Sequence, residues 1–267
     1  MSQLLLFQLQ QGIQIYLLVL VRISALLAVA PFWSSRTIPV QIRVFFSLFF
    51  SLVVLPLIIG HATVAVPDIF SFSLLIIQEL LLGLVLGLVA ALLFYSIQVA
   101  GQVIDIQMGF GMINVLDPQS GAQAPLLGNI YYLIALVLFL LVDGHHYLLQ
   151  VLVDSFYFYP PGTIMFSQQL WYDLSHLFSQ ILIFALRLAL PVAGVLFLLD
   201  IALGVVARAV PQMNVFILGI PVKILVGIWA IICTIPLLMQ VLQLLLHGIF
   251  EDIALLLGAL GSGNVVR

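Results

Sequence analysis

The chain has 267 residues, of which 64% are hydrophobic and only 6% are charged, and its formal net charge is −3. A soluble surface needs roughly 25–35% charged residues, and binding to nucleic acid needs clustered Lys and Arg that this chain lacks. Disorder is excluded as well, because disordered chains combine low hydrophobicity with high charge. The composition therefore indicates a protein whose main solvent is the lipid bilayer.

Long apolar stretches predict an all-α membrane protein with about six hydrophobic helices. A spanning helix needs about 20 mostly apolar residues. The candidates in chain order are 13–31, 40–59, 74–99, 126–149, 180–206 and 215–246. The first stretch lacks the basic residues and the cleavage site of a secretory signal, so we expect it to be retained. The last contains Pro221 and Pro236 and is expected to be kinked, tilted or split.

The basic residues predict the orientation of these helices. Arg36 and Arg43 lie between the first two stretches, and Arg208 and Lys223 flank the turn between the last two. The intervening connections carry acidic residues and no Lys or Arg. The positive-inside rule therefore places the four basic residues in the cytoplasm and both termini outside.

The connection between the third and fourth stretches, residues 101–121, has an unusual composition. It is too rich in Gly and polar residues for a lipid-facing helix, yet Met108, Phe110, Met112 and Ile113 are too apolar for a water-facing loop. Irregular backbone at membrane depth is tolerated only inside protein or where it lines a cavity. We therefore expect a cavity-lining segment; the alternative is an interfacial loop that dips its apolar residues into the headgroups.

Four ionisable side chains fall within the apolar stretches, namely Arg22, Glu79, Arg187 and Asp200. A charge in hydrocarbon is costly, so each is expected to face protein or a wet cavity. In the predicted orientation Glu79 lies at a depth comparable to that of both arginines and is expected to pair with one of them. The pair is either structural or part of a proton or ion relay, and the presence of a single Glu favours the structural role.

Small residues predict one close helix contact. Gly83 and Gly87 form a Gly-x-x-x-Gly face in the third stretch, and such a face lets two membrane helices approach closely.

Motifs for catalysis or metal binding are absent from the sequence. There is no His-Glu-x-x-His and no Gly-x-Ser-x-Gly, and Lys223 is the only Lys, which excludes a phosphate loop.

Cys233 is expected to be a small buried hydrophobe. Asp143-Gly-His-His146 could offer metal ligands, but adjacent His side chains are expected to diverge and no second ligand cluster exists. We therefore predict no catalytic, cofactor or metal site, and we expect Asp143 and Gly144 to break the fourth stretch.

Motifs spread along the chain resemble the FliR family of flagellar export-gate proteins. They are Arg22-Ile-Ser-Ala-Leu-Leu-Ala-Val-Ala-Pro31 with Pro39 and Arg43, Gln107-Met-Gly109 with Asp117-Pro118, Asp143-Gly-His145, and Pro211-Gln-Met-Asn-Val-Phe-Ile-Leu-Gly-Ile-Pro221. Virulence secretion homologues share the fold, and the Gln-Met-Gly and Asp-Pro pattern favours the flagellar branch. Asp143 departs from the family's commoner Asn.

The resemblance implies a non-catalytic subunit of the export gate of a type III secretion system, in the bacterial inner membrane and the flagellar basal body. It implies FliP and FliQ subunits as partners, FlhB and FlhA as neighbours, and unfolded exported proteins as cargo. It also implies a FliP-like helical part over residues 1–179, with a central plug loop at 101–123, followed by a FliQ-like helical hairpin and C-terminal tail over 180–267.

The resemblance further implies that the central loop plugs the export pore. The plug residues of this chain are then Gln107, Met108, Gly109, Phe110, Gly111, Met112 and Ile113. Met and Phe form a soft apolar constriction that blocks ions by dewetting, and glycines give the backbone freedom to move. The alternative function is a small-solute or ion transporter with Glu79 and Arg22 at its centre, although the inverted repeats of carriers are not visible.

Overall fold

The computed structural model describes residues 2–35, 38–60, 68–110, 125–163, 168–212 and 214–261. Over these residues the chain forms helices and turns, with no β-strand. In chain order the helices are α1 Ser2–Val29, α2 Val40–Ile58, α3 Ile69–Met108, α4 Leu126–Leu141, α5 Gly144–Phe158, α6 Gln168–Ala209 and α7 Val215–Gly261. Helices suit a lipid solvent because they satisfy the backbone N–H and C=O groups within one segment.

Five segments of the described chain are long and apolar enough to cross a membrane. They are Gln10–Val29, Val40–Ile58, Ile69–Met108, Leu174–Ala209 and Ile217–Gln240. The bent pair α4 and α5 makes a sixth if it is counted as one span. The predicted all-α membrane fold with about six hydrophobic helices is therefore confirmed.

The segment predicted to be irregular from residue 101 onward is helical at its start. Helix α3 continues to Met108, and Gly109 follows it with a φ of 89°. The prediction of irregular backbone was wrong for residues 101–108, because their composition argues only against a helix that faces lipid. The glycine and the acid of this stretch, Gly101 and Asp105, instead face α4, where small and polar residues are compatible with a helix.

The fourth stretch is divided, as predicted, at the Asp143 turn. Helix α4 ends at Leu141, α5 begins at Gly144, and Asp143 between them has left-handed φ and ψ of 56° and 26°. Asp tolerates this conformation better than most residues that carry a Cβ. Helix α7, by contrast, runs as one helix through Pro221 and Pro236. It is therefore not split at either proline.

The helices belong to two compact units. One comprises Met1–Leu92, Asp143–Leu177 and His247–Arg267, and the other comprises Leu93–Val142 and Phe178–Leu246. The interior of the first unit contains buried apolar side chains of α1 and α5, including Leu18, Ile23 and Leu152. The division at residue 180 into FliP-like and FliQ-like parts stays a prediction.

Candidate functional site

A buried ion pair joins α1 to α3 in the first unit. The Arg22 Nε atom donates a hydrogen bond to Glu79 Oε2 at 2.6 Å, and both side chains are 0% exposed. The second carboxylate oxygen of Glu79 accepts the backbone N–H of Gly162 at 3.1 Å. Both oxygens are bonded, so the cost of burying this carboxylate is offset by a charge and by hydrogen bonds.

The remaining donors of Arg22 bind α5 and the turn that follows it. The Nη1 atom donates to the carbonyl and hydroxyl oxygens of Ser155 at 3.0 and 3.2 Å, and Nη2 donates to the Tyr159 carbonyl at 3.0 Å. The guanidinium also lies over the Phe156 ring, 4.2 Å from its centroid, a favourable cation–π arrangement. Every nitrogen of the guanidinium is thus bonded, which is the pattern of a structural group rather than one that exchanges protons.

Gly83 and Gly87 pack directly against α1. A Cβ on Gly83 would lie 2.7 Å from the Ala25 Cβ and closer still to the Arg22 carbonyl oxygen, and a Cβ on Gly87 would lie 2.8 Å from the Leu26 carbonyl oxygen. A larger side chain at either position would push the two helices apart. This close approach brings Arg22 within hydrogen-bonding distance of Glu79, one turn before the first glycine.

The other two predicted membrane charges lie on α6, in the second unit. Asp200 forms an ion pair with Lys223 of α7, and their side chains are 38% and 21% exposed. This pair ties the α6–α7 hairpin together and lies much nearer the surface than Arg22 and Glu79. Arg187, in contrast, is exposed beside the exposed apolar side chains of Leu186 and Leu190.

A second buried carboxylate lies near the end of α3. Asp105 is 5% exposed, and both of its oxygens accept the backbone N–H of Leu127 at 3.0 Å, while Oδ2 also accepts that of Gly128 at 3.2 Å. The first N–H groups of a helix have no partner within the helix, and Pro125 before α4 offers no side-chain cap. Asp105 supplies this cap from another helix, and its charge suits the positive end of the helix dipole.

Asp105 is not among the residues predicted from the sequence to be functional. Two features of the sequence point to it. Asp105 is the only acid among residues 101–108, and the next predicted helix follows a proline rather than Ser, Thr, Asp or Asn. Its partner, however, lies 22 residues away, so the pairing itself required the tertiary structure.

Helices α3 and α4 are in backbone contact beside this carboxylate. A Cβ on Gly101 would lie 2.6 Å from the Gly128 Cα, and a Cβ on Gly128 would lie 3.0 Å from the Gln98 carbonyl oxygen. The Gln98 side-chain amide also donates to Asn129 Oδ1 at 3.3 Å. We call Gly101, Asp105, Leu127 and Gly128 the α3–α4 junction.

The predicted plug begins at this junction. Gln107 and Met108 lie in the last turn of α3, and Gly109 ends the helix with the positive φ common at helix C-termini. Phe110 is half-buried. The other predicted plug residues, Gly111, Met112 and Ile113, lie outside the described residues.

Met108 is buried within the second unit. Its side chain is 0% exposed and packs on Gly227 of α7, where a Cβ would lie 2.7 Å from its sulfur. A flexible thioether fills such an irregular space well. Within the single chain, Met108 therefore joins the end of α3 to α7.

Asp143, His145 and His146 cluster at the start of α5. The two imidazole centroids are 4.1 Å apart, and one ligand atom from each of the three residues lies within 4.8 Å of the others. The expectation that the adjacent His side chains diverge was wrong: the two imidazole rings lie against each other in the first turn of α5. The contact between His146 Nδ1 and Asp143 Oδ1 is 3.4 Å. The absence of a metal role stays a prediction.

Cys233 is exposed on α7, whereas the sequence predicted a buried thiol. The reason is that most of the α7 span is uncovered within the single chain. In a membrane protein, an apolar stretch can face lipid or other chains as well as the protein's own core, so an apolar surrounding in the sequence does not predict burial.

Comparison with known proteins gives a match over most of the chain. Residues 13–249 match the family described as bacterial export proteins, family 1. The chain is 37% identical over 240 residues to the flagellar biosynthetic protein FliR of Bacillus subtilis strain 168. The matched residues make up 88% of this chain and 90% of that protein. It is 31% identical over 243 residues to the FliR of Escherichia coli strain K12, covering 91% and 92%. It is also 31% identical over 218 residues to the Yop proteins translocation protein T of Yersinia pestis, covering 80% and 83%.

Proposed function

Since the chain belongs to the bacterial export proteins, family 1, it is a membrane protein of a flagellar or type III export apparatus, and we propose that it is a non-catalytic subunit of the inner-membrane export gate. The observation that carries this proposal is the ordered match over residues 13–249 in a chain with five or six membrane-capable helices. The 37% identity to the Bacillus subtilis FliR supports the flagellar branch.

We propose that the chain forms the pore together with FliP and FliQ subunits, next to FlhB and FlhA, and that unfolded proteins pass through it. The surface of α6 and α7 supports an assembly of several chains. Large apolar side chains such as Phe197, Leu198 and Trp229 are exposed along both helices, and Arg187 is exposed among them. Lipid can cover the apolar side chains, but an arginine within an apolar span needs a polar partner.

We propose that Gln107, Met108, Gly109 and Phe110, with the following Gly111, Met112 and Ile113, plug this pore. An unfolded chain of variable sequence must pass while ions stay out, and apolar Met and Phe side chains can seal by packing and dewetting. The burial of Met108 against α7 supports a seal that is made by packing. Gly109, with its positive φ, supports a change of chain direction directly after α3.

The transporter alternative receives no support from the geometry around Glu79. A carrier or proton relay needs solvent or solute to reach its ionisable groups, and both members of the Arg22–Glu79 pair are 0% exposed. All their polar atoms already have partners, either in each other or on α5 and the turn after it. This supports a structural role for the pair.

Co-purification tests the proposed assembly. The tagged chain is extracted from membranes in mild detergent, with and without co-expressed FliP-like and FliQ-like subunits. We expect the chain alone to aggregate or to be degraded, and we expect the partner subunits to rescue it as one complex. A well-behaved monomer whose size and yield do not change when the partners are added would contradict the proposal.

A further inference from the structure

We propose that Asp105 is a positioning residue that clamps the base of the plug by holding the end of α3 to the start of α4. This inference rests on the proposed gate function and adds a residue to it. The carboxylate accepts the N–H groups of Leu127 and Gly128, as described above, while the backbone carbonyl of the same residue accepts the N–H of Phe110 at 3.1 Å. One residue therefore bonds both to the chain that leaves α3 and to the chain that enters α4.

The chemistry of the junction favours a carboxylate. Two adjacent backbone N–H groups converge on it, and an ionised carboxylate offers two oxygens and accepts hydrogen bonds only. An asparagine side chain would offer one oxygen, and its NH₂ group, which is itself a donor, would face a backbone N–H group with which it cannot bond. Such bonds to a charged acceptor are stronger than neutral ones, and the low dielectric around a side chain that is 5% exposed strengthens them further.

The position of the clamp gives it a consequence for the gate. Asp105 bonds to the backbone on both sides of residues 111–124 in the sequence, through its carbonyl to Phe110 and through its carboxylate to Leu127 and Gly128. Closing a loop at its base removes conformational freedom from the residues between its ends. With Asp105 in place, we expect Met108 and Phe110 of the proposed plug to keep a defined position beside α4; without it, we expect the seal that they make to loosen.

The rest of the junction should survive the loss of this carboxylate. Helices α3 and α4 also meet through the Gly101–Gly128 contact and through Phe94, whose ring packs edge-on against Tyr132 and Phe139 at 5.9 and 5.3 Å. These contacts do not involve Asp105. The variant Asp105→Asn is therefore expected to fold and to lose only the clamp.

Amide hydrogen exchange in the purified multi-subunit complex tests the clamp directly. In the wild type, we expect the N–H groups of Leu127 and Gly128 to be protected although they lie in the first turn of α4. In Asp105→Asn their exchange should accelerate by about tenfold or more, since a buried hydrogen bond to a charged group is lost. The control Asp154→Asn removes another carboxylate, half-buried on α5, and should leave both amides unchanged. Unprotected amides in the wild type, or equal exchange in wild type and Asp105→Asn, would overturn the clamp.

Ion conductance and the amount of exported filament protein, measured in cells, test its role in the gate. We expect Asp105→Asn to leak ions while export continues, to a smaller extent than a variant that lacks residues 111–122. If the deletion variant leaks ions and Asp105→Asn does not, the gating role of Asp105 is overturned and the plug is unaffected. If neither variant leaks although both assemble, the plug function is overturned, and the gating role of Asp105 falls with it.

Discussion

At the scale of single residues, the central feature is a charge pair that no solvent reaches. Arg22 and Glu79 are both 0% exposed, and the guanidinium bonds to α3, to α5 and to the turn at Tyr159. Burying such a pair brings little net stability by itself, because the attraction of the charges is set against the loss of their hydration. The observed arrangement of these three helices satisfies every nitrogen of the guanidinium, so we expect the pair to favour this arrangement over others.

We expect Arg22→Met to destabilise the protein by about 3–5 kcal/mol, because it leaves the Glu79 carboxylate buried without its counter-charge. The double variant Arg22→Met/Glu79→Leu should be less destabilised, since it buries no unpaired charge. Thermal unfolding of the purified complex measures both, and Arg208→Met, at an exposed position, is the matched control. If Glu79→Gln stopped export at unchanged thermal stability, a relay role would replace the structural one.

The plug residues give a prediction with two distinguishable outcomes. Met108→Ala and Phe110→Ala should raise ion conductance while export continues, because smaller side chains leave a wider and wetter gap. If Met108 served only to pack α3 on α7, its replacement would instead lower stability, by about 2–5 kcal/mol for a buried Met, without any leak. Met239→Ala, at a partly exposed position on α7, controls for the loss of a thioether in the same unit.

Gly109 should respond in the opposite sense to those two residues. Its φ of 89° is unfavourable for a β-branched residue, so Gly109→Val should restrict the backbone where the plug begins. We expect slower export of filament protein without any added ion leak. Faster export, or a leak as large as that of Phe110→Ala, would contradict the assigned role of this glycine.

At the scale of helices, close contacts decide which elements pack together. Helix α1 touches α3 at Gly83 and Gly87, and α4 touches α3 at Gly101. In a bilayer, lipid competes for apolar surfaces, so helix association depends on close packing and on polar contacts. Gly83 and Gly101 each lie one turn from a buried carboxylate, Glu79 in the first case and Asp105 in the second. A small residue and an acid thus act together at each crossing.

Replacing Gly83 by Val should destabilise the protein by about 1–3 kcal/mol, the usual cost of overpacking, because the new side chain would meet the α1 backbone. The comparison is Gly204→Val on α6, where nothing lies within 4 Å of the position that a Cβ would take. Thermal unfolding of both variants in detergent measures the difference. Equal melting temperatures for the two variants would show that α1 and α3 do not touch at Gly83.

At the scale of the whole molecule, the uncovered surface of α6 and α7 indicates how the chain is used. A soluble monomer of this size exposes few contiguous apolar side chains, whereas here they recur along α6 from Trp171 to Val206 and along α7 from Ile217 to Met239. Lipid accounts for part of this surface. The proposed assembly would give the exposed Arg187 a polar partner in a neighbouring chain, which costs less than exposure to hydrocarbon.

The predicted topology can be tested by labelling single cysteines in intact cells with an impermeant reagent. The exposed native Cys233 is first replaced by Ser. Thr163→Cys, after α5, should be labelled, and Gln212→Cys, between α6 and α7, should not, since the positive-inside rule places the turn beside Arg208 in the cytoplasm. Both positions are exposed, so labelling after permeabilisation controls for access. The reverse pattern would overturn the orientation.

The lipid environment, the fold class and the approximate membrane spans could all be predicted from the sequence. These follow from local composition: a stretch of about 20 apolar residues has to be helical in lipid whatever its neighbours are. The break at Asp143 and the small face at Gly83 and Gly87 were predictable for the same reason, because the cause of each lies in its own few residues.

The contacts between distant groups became apparent from the tertiary structure alone. It paired Glu79 with Arg22, 57 residues away, and gave Asp105 a partner on another helix. It also extended α3 to Met108, where the composition had indicated a loop. The physical reason is common to all three: the cost of a buried charge or of a polar helix face depends on what is packed against it, and sequence spacing does not contain that information.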